Sequence, residues 1–114
     1  AYAIAHASAF AAERGDGPLV RAFTVRKQPK QHGTGKRVEG PFVAGDRVVV
    51  VEDVITTGGS ALTAVDAIRA EGGVVLGVLA VVDREEGGRE ALEAAGLSVH
   101  SLATASELVA RLPH

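Results

Sequence analysis

The 114 residues suffice for one domain with a core of its own, and 46% apolar with 23% charged residues is globular composition that argues against disorder. The chain has no cysteine, which rules out disulfide frameworks, thiolate metal sites and cysteine nucleophiles and fits a reducing, cytoplasmic setting. No apolar run approaches the ~18 residues of a membrane span, no secretory leader pattern opens the chain, and aromatics at 4% without Trp offer no stacking platform. Neither a membrane nor a nucleic acid is therefore an expected partner.

The net charge of −2 hides an uneven distribution. Arg26, Lys27, Lys30, Lys36 and Arg37 follow one another without an intervening acid, while the other seven basic residues face all 14 acids. A basic loop on an acidic body points to a local anion site.

In chain order, Ala1–Arg14 places Ile4, Ala7, Phe10 and Ala11 at helical spacing, and Gly15 stands where that helix would stop. No capping residue precedes it, so the helix reads as cut into, with structure expected upstream. Gly15-Asp16-Gly17-Pro18 is a turn, and Leu19–Val25 predicts a strand. Arg26–Gly45, broken by glycines and two prolines, is too long for an ordinary connection and predicts a functional loop. Arg47–Val51 predicts a buried parallel strand and Glu52–Gly59 a loop. Ser60–Glu71 predicts a helix with Ala61, Leu62, Val65 and Ile68 on one face, and Gly72-Gly73 stops it. Then follow a strand at Val74–Val82, a helix at Glu86–Ala95, a strand at Leu97–Leu102 and a helix at Thr104–Leu112 capped by Thr104 or Ser106. The alternation predicts an α/β fold in one domain, residues 1–114, with a mostly parallel sheet flanked by helices.

Ligands of such sheets sit beyond the carboxyl ends of the strands. There the sequence runs from Val48-Val49-Val50-Val51 into Glu52-Asp53, then Val54-Ile55, then Thr56-Thr57-Gly58-Gly59-Ser60 and a helix. The second half has the physics of a phosphate cradle: glycines turn backbone N–H groups inward, the helix start adds positive potential, and three hydroxyls can donate. No Lys follows the glycines, so this is not a Walker A loop. Two carboxylates beside a phosphate repel it unless they hold ribose hydroxyls, a divalent cation, or both. Alone, the glycines fit a tight turn and the acids a solvated strand end; together they fit a 5-phosphorylated ribose.

The thirteen residues from Val48 to Ser60 resemble the 5-phosphoribosyl-1-pyrophosphate (PRPP) signature of the type I phosphoribosyltransferases. The preceding Arg26-Lys27-Gln28-Pro29-Lys30-Gln31-His32-Gly33 resembles the catalytic loop of the orotate phosphoribosyltransferase family, Arg-Lys-x-x-Lys-x-His-Gly, with Gln28 and Gln31 where acids are common. Val82-Asp83-Arg84-Glu85-Glu86-Gly87-Gly88 is similar to a third family segment, whose Arg holds the orotate carboxylate. By itself Arg84 reads as a surface charge, and the basic loop as a solvated linker. The resemblance spans the chain but only the C-terminal two-thirds or so of a family member. It implies a Rossmann-like core, N-terminally truncated and lacking the hood over the base.

The resemblance implies transfer of the phosphoribosyl group from PRPP to orotate, giving orotidine 5′-monophosphate and pyrophosphate, in de novo pyrimidine synthesis. It assigns PRPP and pyrophosphate binding to Arg26, Lys27, Lys30 and His32 of the loop and to Glu52, Asp53, Val54, Ile55, Thr56, Thr57, Gly58, Gly59 and Ser60. Thr56 and Arg84 would bind orotate, and Lys30, His32 and Asp53 would be catalytic. Mg²⁺ would arrive mainly on PRPP, without a direct protein metal site. A homodimer sharing the mobile loop across its interface is implied by family resemblance alone. Two alternatives use the same signature: a PRPP-binding regulatory module, which would have no leaving group for the basic loop to serve, and a non-catalytic fragment of such an enzyme.

Overall fold

The structure is a computed structural model and describes residues 11–17, 19–26 and 37–113. The chain falls into two compact units, Ala1–Val43 and Ala44–His114.

In the first unit, residues 11–13 are helical and the turn closes where the glycine predicts, with Gly15 N donating to Ala12 O at 3.0 Å. The rest of the predicted helix lies outside the described residues. The expected strand at Leu19–Val25 shrinks to β1, Thr24–Val25. It pairs antiparallel with β2, Val38–Glu39, through Thr24 with Glu39 and Val25 with Val38. Arg26–Gly45 is therefore not loop throughout, because Val38–Glu39 within it pairs with Thr24–Val25. Arg26 N donates to Arg37 O at 2.6 Å, Arg37 Nε returns a bond to Arg26 O at 3.1 Å, and Arg26 Nη2 pairs with Glu39 Oε1 at 2.5 Å. Phe23 and Phe42 meet beside it, ring centroids 5.1 Å apart. Two-residue strands carry no alternation long enough to read, so this pairing leaves no periodic signal.

The second unit is the expected alternation: β3 (Arg47–Ile55), α1 (Gly59–Ala70), β4 (Val74–Asp83), α2 (Gly88–Ala94), β5 (Ser98–Thr104) and α3 (Ala105–Ala110). The sheet order is β3-β4-β5, with both pairings parallel. Val48, Val50, Val78 and Ala80 are buried from the sheet, Ala61, Val65 and Ile68 from α1, and Leu92 from α2. Each of the valine, isoleucine and leucine side chains among these contributes roughly 1.5–3 kcal/mol of transfer free energy. Leu62, expected on the buried face, is only half-buried, and Ala67 is buried instead.

Three of the boundaries that differ from expectation fall at the carboxyl end of the sheet. β3 continues through Glu52, Asp53, Val54 and Ile55, predicted as loop, because Val54 and Ile55 pair with Val82 and Asp83. A register shift between Val48 and Val49 sets that alignment. Helix α2 starts at Gly88 rather than Glu86, since Gly87, inside the predicted span, has φ 91°, a value no right-handed helix contains. β5 runs on to Thr104, and α3 begins at Ala105.

Candidate functional site

Beyond Ile55, which is buried, the chain leaves β3 through Thr56, Thr57 and Gly58 and enters α1 at Gly59. Gly58 makes the reversal with φ 88°, a left-handed value that favours glycine. The first bond of α1 runs from Leu62 N to Gly58 O at 3.0 Å, so the amides of Gly59, Ser60 and Ala61 precede the helical ladder. No side chain caps this helix and no acid lies in its first turn. Orphan amides at a helix start with no acid in its own first turn are what an anion needs. A shallow depression in front of them is lined by Glu52, Thr56, Gly58 and Ser60.

The acids sit at the end of a strand, where adjacent side chains point to opposite faces. Glu52 is half-buried and accepts from Ser60 Oγ at 3.4 Å, so one of the three expected hydroxyls already faces a carboxylate. Asp53 is exposed, and its Oδ1 accepts from Val54 N at 2.8 Å. Val54 is exposed and Ile55 is the anchor beneath the turn.

The next strand end lies alongside. Arg84 N donates to Ile55 O at 2.9 Å, which extends the β3–β4 pairing by one step and sets Arg84 beside Thr56, the two residues predicted for the base. The Arg84 side chain is mostly exposed, and its Nε pairs with Glu86 Oε2 at 3.2 Å. Asp83 is buried and structural: Oδ1 accepts from Glu85 N at 2.8 Å and Oδ2 pairs with Arg89 Nε at 3.5 Å. Arg89 also donates to Val99 O at 3.2 Å, joining α2 to β5. The Ser106 hydroxyl, then its backbone N–H, hold the Glu85 carboxyl below the ordinary carboxylate range, with Thr104 adding a smaller effect of the same sign and slight desolvation opposing.

Sequence reasoning missed the part played by Gly88. A Cβ there would lie 2.4 Å from Ile55 Cγ2, 2.6 Å from Thr56 O and 3.0 Å from Gly58 N. Conversely, a Cβ on Gly58 would lie 3.0 Å from Gly88 O. The phosphate-loop candidate is thus seated on the first residue of α2, glycine against glycine. The doublet Gly87-Gly88 was visible, but a contact thirty residues away was not.

Of the predicted loop residues, Arg26 stands at the base of the β1–β2 hairpin, paired with Glu39. Lys27, Lys30 and His32 lie outside the described residues.

Residues 3–98 match the phosphoribosyl transferase domain. The chain belongs to the phosphoribosyltransferase family. It is 52% identical over 106 residues to the orotate phosphoribosyltransferase of Aquifex aeolicus, a match covering 93% of this chain and 57% of that one. Among solved structures, the orotate phosphoribosyltransferase of Mycobacterium tuberculosis in complex with Fe(III) dicitrate superposes with a TM-score of 0.74 at 51% identity, covering 81% of this chain and 53% of that one. The same enzyme in complex with PRPP gives 0.70 at 47% identity, over 82% and 52%. This phosphoribosyltransferase chain spans about half the length of the relatives it matches.

Proposed function

We propose that this chain forms part of an orotate phosphoribosyltransferase, transferring the 5-phosphoribosyl group of PRPP to orotate with release of pyrophosphate. The observation that carries the reading is one strand-end constellation. The uncapped amides of α1, the carboxylates Glu52 and Asp53 and the cation Arg84 occupy neighbouring ends of β3 and β4. A phosphate, a ribose diol and a carboxylated base are the three groups that constellation complements. The similarity to relatives named for this reaction supports the same assignment.

In this reading Thr56, Thr57, Gly58, Gly59 and Ser60 take the 5-phosphate, chiefly through backbone N–H groups. Glu52 and Asp53 accept from the ribose hydroxyls. Arg84 pairs with the base carboxylate next to Thr56. The bond broken is ribose C1–O, so positive charge develops on the sugar and negative charge on the departing pyrophosphate. Carboxylates near the ring favour the first, and the loop cations Arg26, Lys27, Lys30 and His32 favour the second, a role assigned on family resemblance. His32 is of the residue type suited to proton transfer to a pyrophosphate oxygen.

Among the described residues no group of three or more His, Asp or Glu side chains converges. Glu52 or Asp53 could supply one oxygen donor, within the one or two that Mg²⁺ takes from protein when substrate phosphates complete its shell. Either fits a cation carried on PRPP, which would offset pyrophosphate charge. A homodimer and a cytoplasmic setting belong to the same proposal; no helix among the described residues is long and apolar enough to cross a membrane. Chromatography of a reaction holding PRPP, orotate and Mg²⁺ tests the reading, with adenine in place of orotate as the contrast. Orotidine 5′-monophosphate should form only with orotate. No product from the full-length protein would refute transfer, and PRPP binding without turnover would favour a regulatory module.

A further inference from the structure

We propose that Glu85 is a positioning residue for Arg84, its carboxylate tying the turn that presents Arg84 to the start of helix α3. The inference rests on the reading in which Arg84 binds the base. Among the described residues Glu85 is the only non-glycine with a positive φ, at 63°. Such a conformation persists only where its surroundings over-determine it, and glycine would adopt it without strain. The chain places a glutamate there, so the side chain must contribute something that glycine lacks.

Its contribution is visible at both ends of the residue. Glu85 N donates to Asp83 Oδ1 at 2.8 Å, and Asp83 is itself buried and paired with Arg89. Glu85 Oε1 accepts from Ser106 N at 2.6 Å, in an element 21 residues away. Helix α3 has Thr104 as its N-cap, and Thr104 Oγ1 accepts from Glu107 N at 3.2 Å. Two orphan amides of α3 are therefore satisfied, one by its own cap and the other by a carboxylate from the β4 turn. None of the buried side chains of the core belongs to α3, so these polar ties matter more than packing in fixing it to the sheet.

Arg84 lies between the two fixed points. Its own N–H is on Ile55 O, and its carbonyl side leads into the Glu85 amide held by Asp83. The guanidinium is mostly exposed and pairs with Glu86. The turn thus holds the backbone of a base-binding cation while leaving its side chain to the ligand. If the Glu85–Ser106 tie is lost, the strained φ has no counterweight and the turn should relax.

The experiment compares Glu85→Ala, Glu85→Gly and Glu85→Gln with Arg84→Ala in the full-length protein, varying orotate and PRPP separately. Loss of a cap shifts an equilibrium by about two- to thirtyfold. Glu85→Ala should raise the orotate KM within that range and leave the PRPP KM within about twofold of wild type. Glu85→Gln, which keeps an acceptor oxygen, should recover most of the loss. Glu85→Gly, which relieves φ but has no acceptor, should not recover it. On an Arg84→Ala background Glu85→Ala should add nothing further. Amide hydrogen exchange supplies a readout independent of turnover: Glu85→Ala should speed exchange at both Ser106 and Arg84. A wild-type orotate KM in Glu85→Gly overturns the proposal, as does an undiminished Glu85→Ala effect without Arg84, or unchanged exchange at Arg84. An Arg84→Ala variant with normal orotate KM instead refutes the base-binding reading, and unchanged or faster Arg84 exchange still decides whether Glu85 holds the turn.

Discussion

Gly88 is not itself assigned a ligand contact, yet replacing it by alanine should damage PRPP binding by pushing on the loop that makes those contacts. The added methyl would stand 2.4 Å from Ile55 Cγ2 and 2.6 Å from Thr56 O. Ile55 can turn a methyl aside only within a buried site, and the Thr56 carbonyl is backbone, so the loop must retreat. Bringing the 2.6 Å contact to the 3.4 Å at which ordinary contact begins needs a shift of about 0.8 Å. Overpacking of this kind costs roughly 1–3 kcal/mol of stability. A displacement near ~1 Å in a positioning element costs up to about a hundredfold in rate. The expected result is a ten- to hundredfold fall in kcat/KM for PRPP, about 1.4–2.7 kcal/mol. Gly87→Ala is the control: its φ is 91°, so it carries backbone strain, but nothing lies within 4 Å of the new methyl. Calorimetry with PRPP and Mg²⁺, alongside thermal unfolding, separates loop displacement from loss of fold. A Gly88→Ala protein that binds PRPP within twofold of wild type would refute the seating of the phosphate loop on α2. Equal defects in both variants would reduce it to general strain.

Arg84→Ala should weaken orotate by roughly tenfold to a hundredfold, the equivalent of a charge-assisted hydrogen bond worth about 1.5–3 kcal/mol, with the PRPP KM unmoved; steady-state kinetics with orotate varied checks it. Arg89→Met should destabilise the sheet by about 1–3 kcal/mol, because it leaves the buried Asp83 carboxylate without its cation. The melting temperature should fall by several degrees, and Asp83→Asn on the same chain should restore part of it. The Glu85 carboxyl titrates below its ordinary 4.5, so its tie to Ser106 is fully present above that pH and is lost as pH falls through the lowered folded value. The Ser106 amide shift in NMR should therefore titrate with a midpoint under 4.5, and Glu85→Gln should abolish the transition; a midpoint at or above 4.5 would contradict the assignment.

What could be read from the sequence divides according to how far apart the cooperating residues lie. Val48–Val51 and the run from Val74 announce buried parallel strands by composition, and the spacing of Ala61, Val65 and Ile68 announces a helix face. The glycine turn before α1 was legible for the same reason: its glycines and hydroxyls are consecutive, and consecutive residues are enough to propose what a turn could bind. The extension of β3 was not legible, because Glu52 and Asp53 have poor strand propensity and take strand geometry only through the pairing of Val54 and Ile55 with Val82 and Asp83. The β1–β2 hairpin joins residues too few to show a period. Gly88 and Glu85 show the limit most clearly. Each has a local identity, one of two adjacent glycines and one of two adjacent glutamates, that says nothing of its partner. Their roles come from Thr56 and Gly58 on one side and Ser106 on the other.

The extension of β3 also changes the chemistry expected of the acid pair. A loop can turn two neighbouring carboxylates toward one ligand at little cost in geometry, whereas a strand alternates them. Glu52 lies on the side of Ser60 and α1, and Asp53 is exposed with its oxygen on the next amide. Two acids fixed in this way cannot collapse onto a single point charge. They can accept two separate donors, and a ribose diol offers two hydroxyls on adjacent carbons. Strand geometry therefore favours the sugar over a protein-held cation as their main partner. Asp53→Asn tests the distinction, because an amide oxygen still accepts from a hydroxyl but is a poor substitute for a carboxylate beside Mg²⁺. If the sugar is the partner, Asp53→Asn should weaken PRPP by less than tenfold, by a factor independent of Mg²⁺ concentration. A defect that excess Mg²⁺ repairs would transfer Asp53 to the metal and undo the argument from alternation.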